Sequence, residues 1–435
     1  MVALLGTILA QLVSLSIADR TEAREIKAPG TEQYAEYSTR PLVALGSDWQ
    51  HSHLTLSYAP TLTLTTLGQS DRMLLVYHTA ALTGSYQLRR TLLSVTEAVG
   101  YGEQSFQQLM LAGGGPTAAT QAPAANGGNT PTPVAIGTVI SGTPTTGASG
   151  TPTTGASGTP TQAQVIALNK QIHFESLTTT AAVTHSESKN LSYGGDLGYT
   201  VSGAVREEDR ANYPLIQGPR GSAFARYGWG HLDSITSTAA LQYSVASEHP
   251  GALGPVPEQA VWLGTWNETW THAFDPYTTV LLGGGLSGSR SPVPDNGTVV
   301  AWSILPIANA GVTEKTLVAR GLLALGLMVS TQPALDLTTF TVDPRVTTQA
   351  TAAWARDRFF SAIVGGTAFS ITKAQGSTDL QSASGGASVG YILSKVVSVD
   401  GGVRGAWQSF GGLTAFPFTY AAFIGMNFGA KLPLR

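Results

Sequence analysis

The sequence predicts an all-β chain that closes into a transmembrane, antiparallel up-and-down β-barrel of about sixteen strands. Three observations predict it: strict alternation of apolar and polar residues, a low share of charged residues, and aromatic residues near the segment ends. The stretch VSVDGGVRGAWQ places Val399, Val403 and Trp407 on one face and Asp400 and Arg404 on the other. Because successive strand side chains point to opposite faces, this segment has an apolar face and a polar face.

The composition separates this chain from ordinary soluble proteins. Charged residues make up 12% of its 435 residues, about half of the ~25% that is usual in globular domains. The net charge of −3 argues against a nucleic-acid partner, since phosphate binding requires a basic surface. The chain contains 50 Gly and no Cys. Disulfides and thiolate metal sites are therefore excluded.

The first 48 residues precede the regular pattern. Residues 1–18 are apolar up to Asp19, and Ser16 and Ala18 are the small residues that a signal peptidase reads, so we expect a signal peptide here. A positive n-region is missing, which is consistent with a truncated start; a membrane anchor is the alternative. Residues 19–48 are interpreted as a polar lead-in. No later apolar run is long enough for a helical span.

The region 49–435 is expected to form the barrel, with period-two segments longer than soluble strands usually are. In three of them (73–87, 91–106 and 260–274) the sequence does not show clearly which residues belong to the apolar face. Fourteen or eighteen strands are therefore the alternatives. The sixteen segments are 53–66, 73–87, 91–106, 171–187, 191–206, 221–232, 234–248, 260–274, 278–290, 298–313, 316–331, 345–357, 359–373, 384–395, 397–410 and 418–430.

The connections alternate between short turns and longer polar loops, as in transmembrane barrels with an even strand count. The longest, 111–164, contains TPTTGASG twice in succession. Pro, Gly, Thr and Ala without large apolar groups bury too little surface to offset the entropy of ordering. We therefore expect a disordered external loop, with a plug or an adhesive tract as the alternative.

The apolar faces are expected to contact lipid. Segments of this length are sufficient for a tilted bilayer crossing, which needs about 9–11 residues. A barrel must close because open strand edges in hydrocarbon leave backbone groups unpaired. Aromatic rings favour the headgroup zone. The aromatic residues expected at the membrane interfaces are Trp229, Trp266, Trp270, Phe274, Trp302, Trp354 and Trp407.

The last strand, FTYAAFIGMNFGAKLPLR, carries Tyr420, Ile424, Met426 and Phe428 on one face. It resembles the C-terminal strand of Gram-negative outer-membrane β-barrels, although seven residues follow Phe428. The resemblance covers residues 49–435 and implies an outer-membrane location, contact with the lipid bilayer and lipopolysaccharide, and insertion by the barrel-assembly machinery. A weaker likeness, carried by YGEQSF and a Trp-rich strand in mid-chain, is to the large barrels that accompany polysaccharide-export systems.

Charged residues on the polar faces are the candidate pore lining. Opposed Arg and Asp side chains across a lumen favour polar solutes; the alternative is mutual neutralisation in a filled barrel. The candidates are Asp196, Arg206, Arg226, Glu248, Arg320, Asp400 and Arg404.

Nothing in the sequence stands out as a catalytic or cofactor site. His51 and His53 share a strand face, but no third ligand accompanies them, so no metal is expected. Glycines 283–285 lie within a strand and lack the helix and Lys of a phosphate loop.

The leading functional hypothesis is a passive channel or export conduit for polar solutes, with polysaccharide among them. The second is a non-conducting structural or adhesive surface barrel, and the third is a hydrolase at the barrel rim. The sequence leaves the oligomeric state open.

Overall fold

A computed structural model describes residues 14–27, 34–67, 71–105, 171–210, 214–230, 232–251, 254–256, 258–293, 296–335, 342–370, 380–410 and 419–433. In these ranges, eighteen strands form one antiparallel sheet in which each pairs with its neighbours along the chain. The sheet closes because the first strand, Ser14–Lys27, pairs with the last, Thr419–Pro433. Among the described strands, closure gives each strand of the wall a partner on both sides, so the backbone groups of the ladders can pair.

The strands alternate in direction around the barrel and are mostly 14 to 16 residues long. A two-stranded hairpin, β10–β11, and one helical turn, α1 (Glu207–Arg210), lie between strands of the wall. The strands are β1 Ser14–Lys27, β2 Tyr34–Asp48, β3 Ser52–Leu67, β4 Asp71–Gln87, β5 Thr91–Ser105, β6 Gln171–Ser186, β7 Leu191–Ala204, β8 Ile216–Trp229, β9 Asp233–Ala246, β10 His249–Gly251, β11 Gly254–Val256, β12 Gln259–Ala273, β13 Thr278–Val293, β14 Asn296–Val318, β15 Gly321–Leu335, β16 Val342–Arg356, β17 Phe359–Ser370, β18 Leu380–Ile392, β19 Val397–Phe410 and β20 Thr419–Pro433.

All-β barrel topology is confirmed, and each of the sixteen expected segments coincides with one strand of the wall. The described part of the chain has eighteen wall strands rather than about sixteen, because β1 and β2 also belong to the wall. Residues 19–48 are therefore not a separate lead-in: β1 pairs with β2 and β20 along almost its whole length. The signal peptide at 1–18 stays a prediction, and residues 14–18 lie in β1.

One end of the barrel carries the short connections, and we call it the short-turn end; the opposite end is the long-loop end. Both Ser14 and Pro433 lie at the short-turn end, paired with each other. Two of its turns are two residues long, and Ala319, Arg320 and Asp357 in these turns have positive φ, as tight hairpins require. The loop expected at 111–164 lies outside the described residues, as do parts of other long connections.

The two faces of the wall follow the sequence parity. On β20, Ile424 is 65% exposed and Met426 49%, while Ala421 and Phe423, at odd-numbered positions of the same strand, are buried. The same alternation separates outward Leu197 and Tyr199 from inward residues on β7. The outward set is mostly apolar, so the barrel presents a hydrophobic belt around a more polar inner wall.

Candidate functional site

A chain of charged side chains lines the inner wall where the barrel closes. Arg20 of β1 donates to Glu22 at 3.0 Å and to Asp400 of β19 at 3.2 Å. Arg24 pairs with Glu22 and lies 3.7 Å from Glu36 of β2. The carboxylates are almost fully buried while both guanidinium groups stay about one-fifth exposed. We call Arg20, Glu22, Arg24, Glu36 and Asp400 the seam network; it presents hydrogen-bond donors to the lumen and keeps its acceptors underneath.

Two further inward side chains extend the seam network along β19 and β20. Asn427 donates to Asp400 at 2.8 Å and accepts from Arg20 at 3.2 Å. The Arg404 guanidinium lies over the Phe423 ring, 4.3 Å from its centroid. An aromatic face beneath a guanidinium is a favourable cation–π arrangement. The sequence-predicted Asp400 and Arg404 are thus brought to the same patch of inner wall.

The other sequence-predicted pore residues divide into two groups. Asp196 accepts a hydrogen bond from Ser222, and Arg226 donates to Ser234 at 3.4 Å, both on the inner wall. Arg206 and Glu248 lie beyond the ends of β7 and β9, and Arg320 occupies the β14–β15 turn, so none of these three lines the strands of the wall. The sequence analysis extended the alternation of faces beyond the ends of these strands. The prediction of pore-lining positions for the three residues was therefore wrong, because the alternation stops where the backbone turns.

Sequence reasoning missed Arg20, Glu22, Arg24 and Glu36 because 19–48 was interpreted as a lead-in. The signal was present: Arg20, Glu22 and Arg24 are spaced by two, which puts them on one face of a strand. Charged residues at every second position indicate a strand of the barrel wall with one polar face, whereas a solvated tail needs no such alternation.

Large inward side chains near the long-loop end are buried, which narrows the lumen there. Val261 and Leu263 of β12 form one apolar cluster with Ala246 of β9 and Val342 of β16, and Ile216 packs against it. Three strands separate β12 from β16 in the wall. The cluster therefore joins parts of the wall that are not sheet neighbours, and we call it the apolar constriction.

The predicted interface aromatics occur mainly at two levels of the outer face. Trp229, Trp270, Phe274 and Trp354 lie at the short-turn end, where Trp270 donates to Asp233 at 3.0 Å and Trp354 to the Val318 carbonyl at 3.0 Å. Trp302 and Trp407 lie toward the long-loop end. Trp266 differs: it sits at the middle of β12 and donates to Ser237 at 3.2 Å. This mid-strand position sets it apart from the other six aromatic residues, and the location of all seven relative to the membrane interfaces stays a prediction.

His53, one of the two histidines noted in the sequence, and His173 of β6 make local contacts. His53 contacts Asp48 and Thr55, and His173 lies 3.1 Å from Glu103. In the described ranges, no group of three His, Cys, Asp or Glu side chains is arranged to hold a metal ion. Likewise, none of the described helices is long and apolar enough to cross a bilayer.

Comparison with solved structures finds bacterial proteins of low sequence identity. OpdO of Pseudomonas aeruginosa has a TM-score of 0.46 at 10% identity, covering 98% of this chain and 99% of that one. OpdL of the same organism has a TM-score of 0.45 at 12% identity, with 97% and 99% coverage. OccAB4 of Acinetobacter baumannii has a TM-score of 0.46 at 9% identity, with 96% and 98% coverage. No curated protein matches the chain.

The model of one protein family matches residues 137–430, which is more than half of the chain. This family is described as the EpsX exopolysaccharide export family. This match agrees with the closed barrel, its apolar outer belt and its polar inner wall, and together these observations indicate a location in the bacterial outer membrane. The chain belongs to the EpsX exopolysaccharide export family and forms an outer-membrane β-barrel that serves as a channel or export conduit.

Proposed function

We propose that the barrel exports exopolysaccharide by letting the polymer pass through its lumen, with the seam network as the surface along which the polymer slides. The observation that carries the proposal is the inward-facing row of guanidinium groups over buried carboxylates at the barrel closure. Sugar hydroxyl and ring oxygens accept hydrogen bonds, and acidic sugars add carboxylates that pair with Arg.

The seam network suits transit better than tight binding. Each Arg already shares its donors with a carboxylate of the wall, so a sugar gains only part of a full charge-assisted bond. Conduction requires binding that is favourable enough for entry and weak enough at each of several sites for exit. Arg20 and Arg24 of β1 and Arg404 of β19 provide such a succession on the two sides of β20.

The apolar constriction is the barrier in this pathway. An apolar narrowing excludes water and ions until it widens. Because short turns face the periplasm in bacterial barrels, the constriction lies in the extracellular half. A polymer that enters from the periplasm therefore meets the polar wall before the barrier.

Planar-bilayer recording tests this proposal. Folded barrel should give stepwise currents, which dextran and hyaluronan should interrupt when added on the periplasmic side, with longer interruptions for the anionic hyaluronan. Arg20→Gln combined with Arg24→Gln should shorten the hyaluronan events and leave the dextran events nearly unchanged. Current without any polymer interruption would contradict polysaccharide transit, and no current from folded protein would contradict conduction altogether.

The second candidate function is a non-conducting structural barrel. The apolar constriction favours it, since a cluster that never opens would seal the lumen. The same recordings separate the two functions. A hydrolase at the rim draws no support from the described side chains, and incubation with ester and peptide substrates tests it.

From the position of the barrel in the outer membrane and the two faces of its wall, we infer three further features. Asp196, Arg226, Asp400 and Arg404 line the conduit. The outward face of β20, with Ile424 and Met426, is the surface by which the barrel-assembly machinery recognises the chain. Lipopolysaccharide surrounds the extracellular half of the belt.

A further inference from the structure

The outer face of the barrel carries a depression with a floor made of two glycines. Gly264 of β12 and Gly288 of β13 are paired across the two strands and both face outward. Because glycine has no side chain, these two positions leave a hollow of about 350 Å³ in the apolar belt. Its walls are Leu241, Trp262, Trp266, Leu286 and Trp302.

A cation stands at the long-loop rim of this depression. Arg290 pairs with Trp262 on one side and Trp302 on the other, and its guanidinium lies 5.9 Å from the centroid of the Trp302 ring. Arg290 is exposed. Across the part of the chain that the structure describes, no carboxylate forms an ion pair with it. The aromatic contact fixes the cation in place without neutralising it.

Arg290 and the glycine floor lie at the two depths in the membrane at which an anionic lipid carries its charged headgroup and its acyl chains. The long-loop end is the extracellular end of the barrel, so Arg290 stands at the headgroup level of the outer leaflet. The glycine floor lies one row of side chains deeper, at the level of acyl chains. Arg pairs with phosphate through two parallel hydrogen bonds, and an apolar hollow suits a methylene chain.

We propose that the depression is a binding site for lipid A of the outer leaflet, with one acyl chain over Gly264 and Gly288 and one phosphate on Arg290. Lipid A is the occupant that the charge favours, because it carries phosphate at the rim and several acyl chains beneath. The site is on the outer surface and stands independently of what passes through the lumen.

The glycine floor allows a test that leaves the fold intact. A Cβ added at Gly288 meets no atom within 4 Å, and one at Gly264 meets nothing closer than 3.8 Å. Gly288→Leu therefore fills the hollow without strain on the wall. Gly84→Leu is the matched control: it is another outward glycine, where a Cβ lies 3.5 Å from Leu54 Cδ1, in ordinary contact and far from the depression.

Native mass spectrometry of the detergent-solubilised barrel measures the binding. Bis-phosphorylated lipid A should bind the wild type and the Gly84→Leu control alike, and should bind Gly288→Leu and Arg290→Gln about tenfold more weakly. Fully dephosphorylated lipid A should bind the wild type no better than bis-phosphorylated lipid A binds Arg290→Gln. Heat-dependent electrophoretic mobility verifies that each variant is folded.

Three results would overturn the proposal. One is equal binding of lipid A to the wild type and to both site variants. Another is binding of phosphatidylglycerol as tight as that of lipid A, which would make the site one for any anionic lipid. The third is a change of oligomeric state in Gly288→Leu with unchanged lipid binding, which would identify the face as a contact between copies of the chain.

Discussion

Arg20 Nη2 donates to Asp400 Oδ2 at 3.2 Å although the two residues are 380 positions apart in the chain. They are on β1 and β19, which are not adjacent, so the ion pair passes over β20 between them. Gly425 of β20 leaves the space: a Cβ there would lie 3.4 Å from Asp400 and 3.7 Å from Arg20. The pair thus ties three strands together where the barrel closes.

Removing the carboxylate of this pair should change ion selectivity. Asp400→Asn keeps the side-chain shape but leaves Arg20 and Arg404 with one negative charge fewer nearby. We expect the reversal potential in a salt gradient to shift toward anion permeability, and Arg20→Gln to shift it the opposite way. Asp400→Ala should also lower the free energy of unfolding by about 2 kcal/mol, because the partly buried donors Arg20 and Asn427 lose an acceptor. Shifts of the same sign in the two charge variants would contradict a lumenal position.

Shortening a side chain of the apolar constriction should widen the lumen. Leu263→Ala removes inward volume from the cluster with Val261 and Val342, so single-channel conductance should rise. The free energy of unfolding should fall by about 2–3 kcal/mol. Leu282→Ala, an outward leucine that is 48% exposed, is the control and should leave the conductance as it is. Equal conductance in all three proteins would place the barrier elsewhere.

A carboxylate on the outer face should destabilise the barrel in a bilayer. Glu97 is an exposed residue at the middle of β5, between Val95 and Val99, which are 49% and 42% exposed on the same face. Glu97→Gln should raise the free energy of unfolding from liposomes by about 1 kcal/mol, since charge on the lipid face is costly. Glu187→Gln in the β6–β7 turn should have little effect. A Glu97 variant no more stable than wild type would mean that this face does not contact lipid.

The β12–β13 turn should contribute less to stability in acid. Asp275 accepts hydrogen bonds from the backbone N–H groups of Tyr277 and Thr278, each at 2.7 Å. These bonds lower the pKa of its carboxyl below the ordinary value. Their stabilisation is therefore full above the unfolded-state pKa and is lost as pH falls through the folded-state pKa.

Unfolding of wild type and Asp275→Asn, measured from about pH 7 to about pH 3 across the Asp titration range, checks this expectation. The difference between the two proteins should be largest at neutral pH and should shrink in acid. A difference that stays constant with pH would show that the carboxylate charge has no part in the turn.

Side-chain parity by itself determined the faces of the wall and most of the strands. The alternation that separates Val403 from Arg404 is a property of adjacent residues, so it can be read without any knowledge of strand partners. The same local rule determined that Asp196, Arg226, Asp400 and Arg404 face inward. It failed at Arg206, Glu248 and Arg320, since no local pattern shows where an extended segment stops.

Only the tertiary structure decided how the barrel closes and what the closure brings together. Pairing of β1 with β20 depends on residues at opposite ends of the chain, and it is this pairing that places Arg20 near Asp400. Val342 likewise belongs to the same apolar cluster as Val261 and Leu263, and this cluster joins strands that are not sheet neighbours. Such contacts depend on strand number and on the curvature of the whole sheet, and neither quantity is encoded in any single segment.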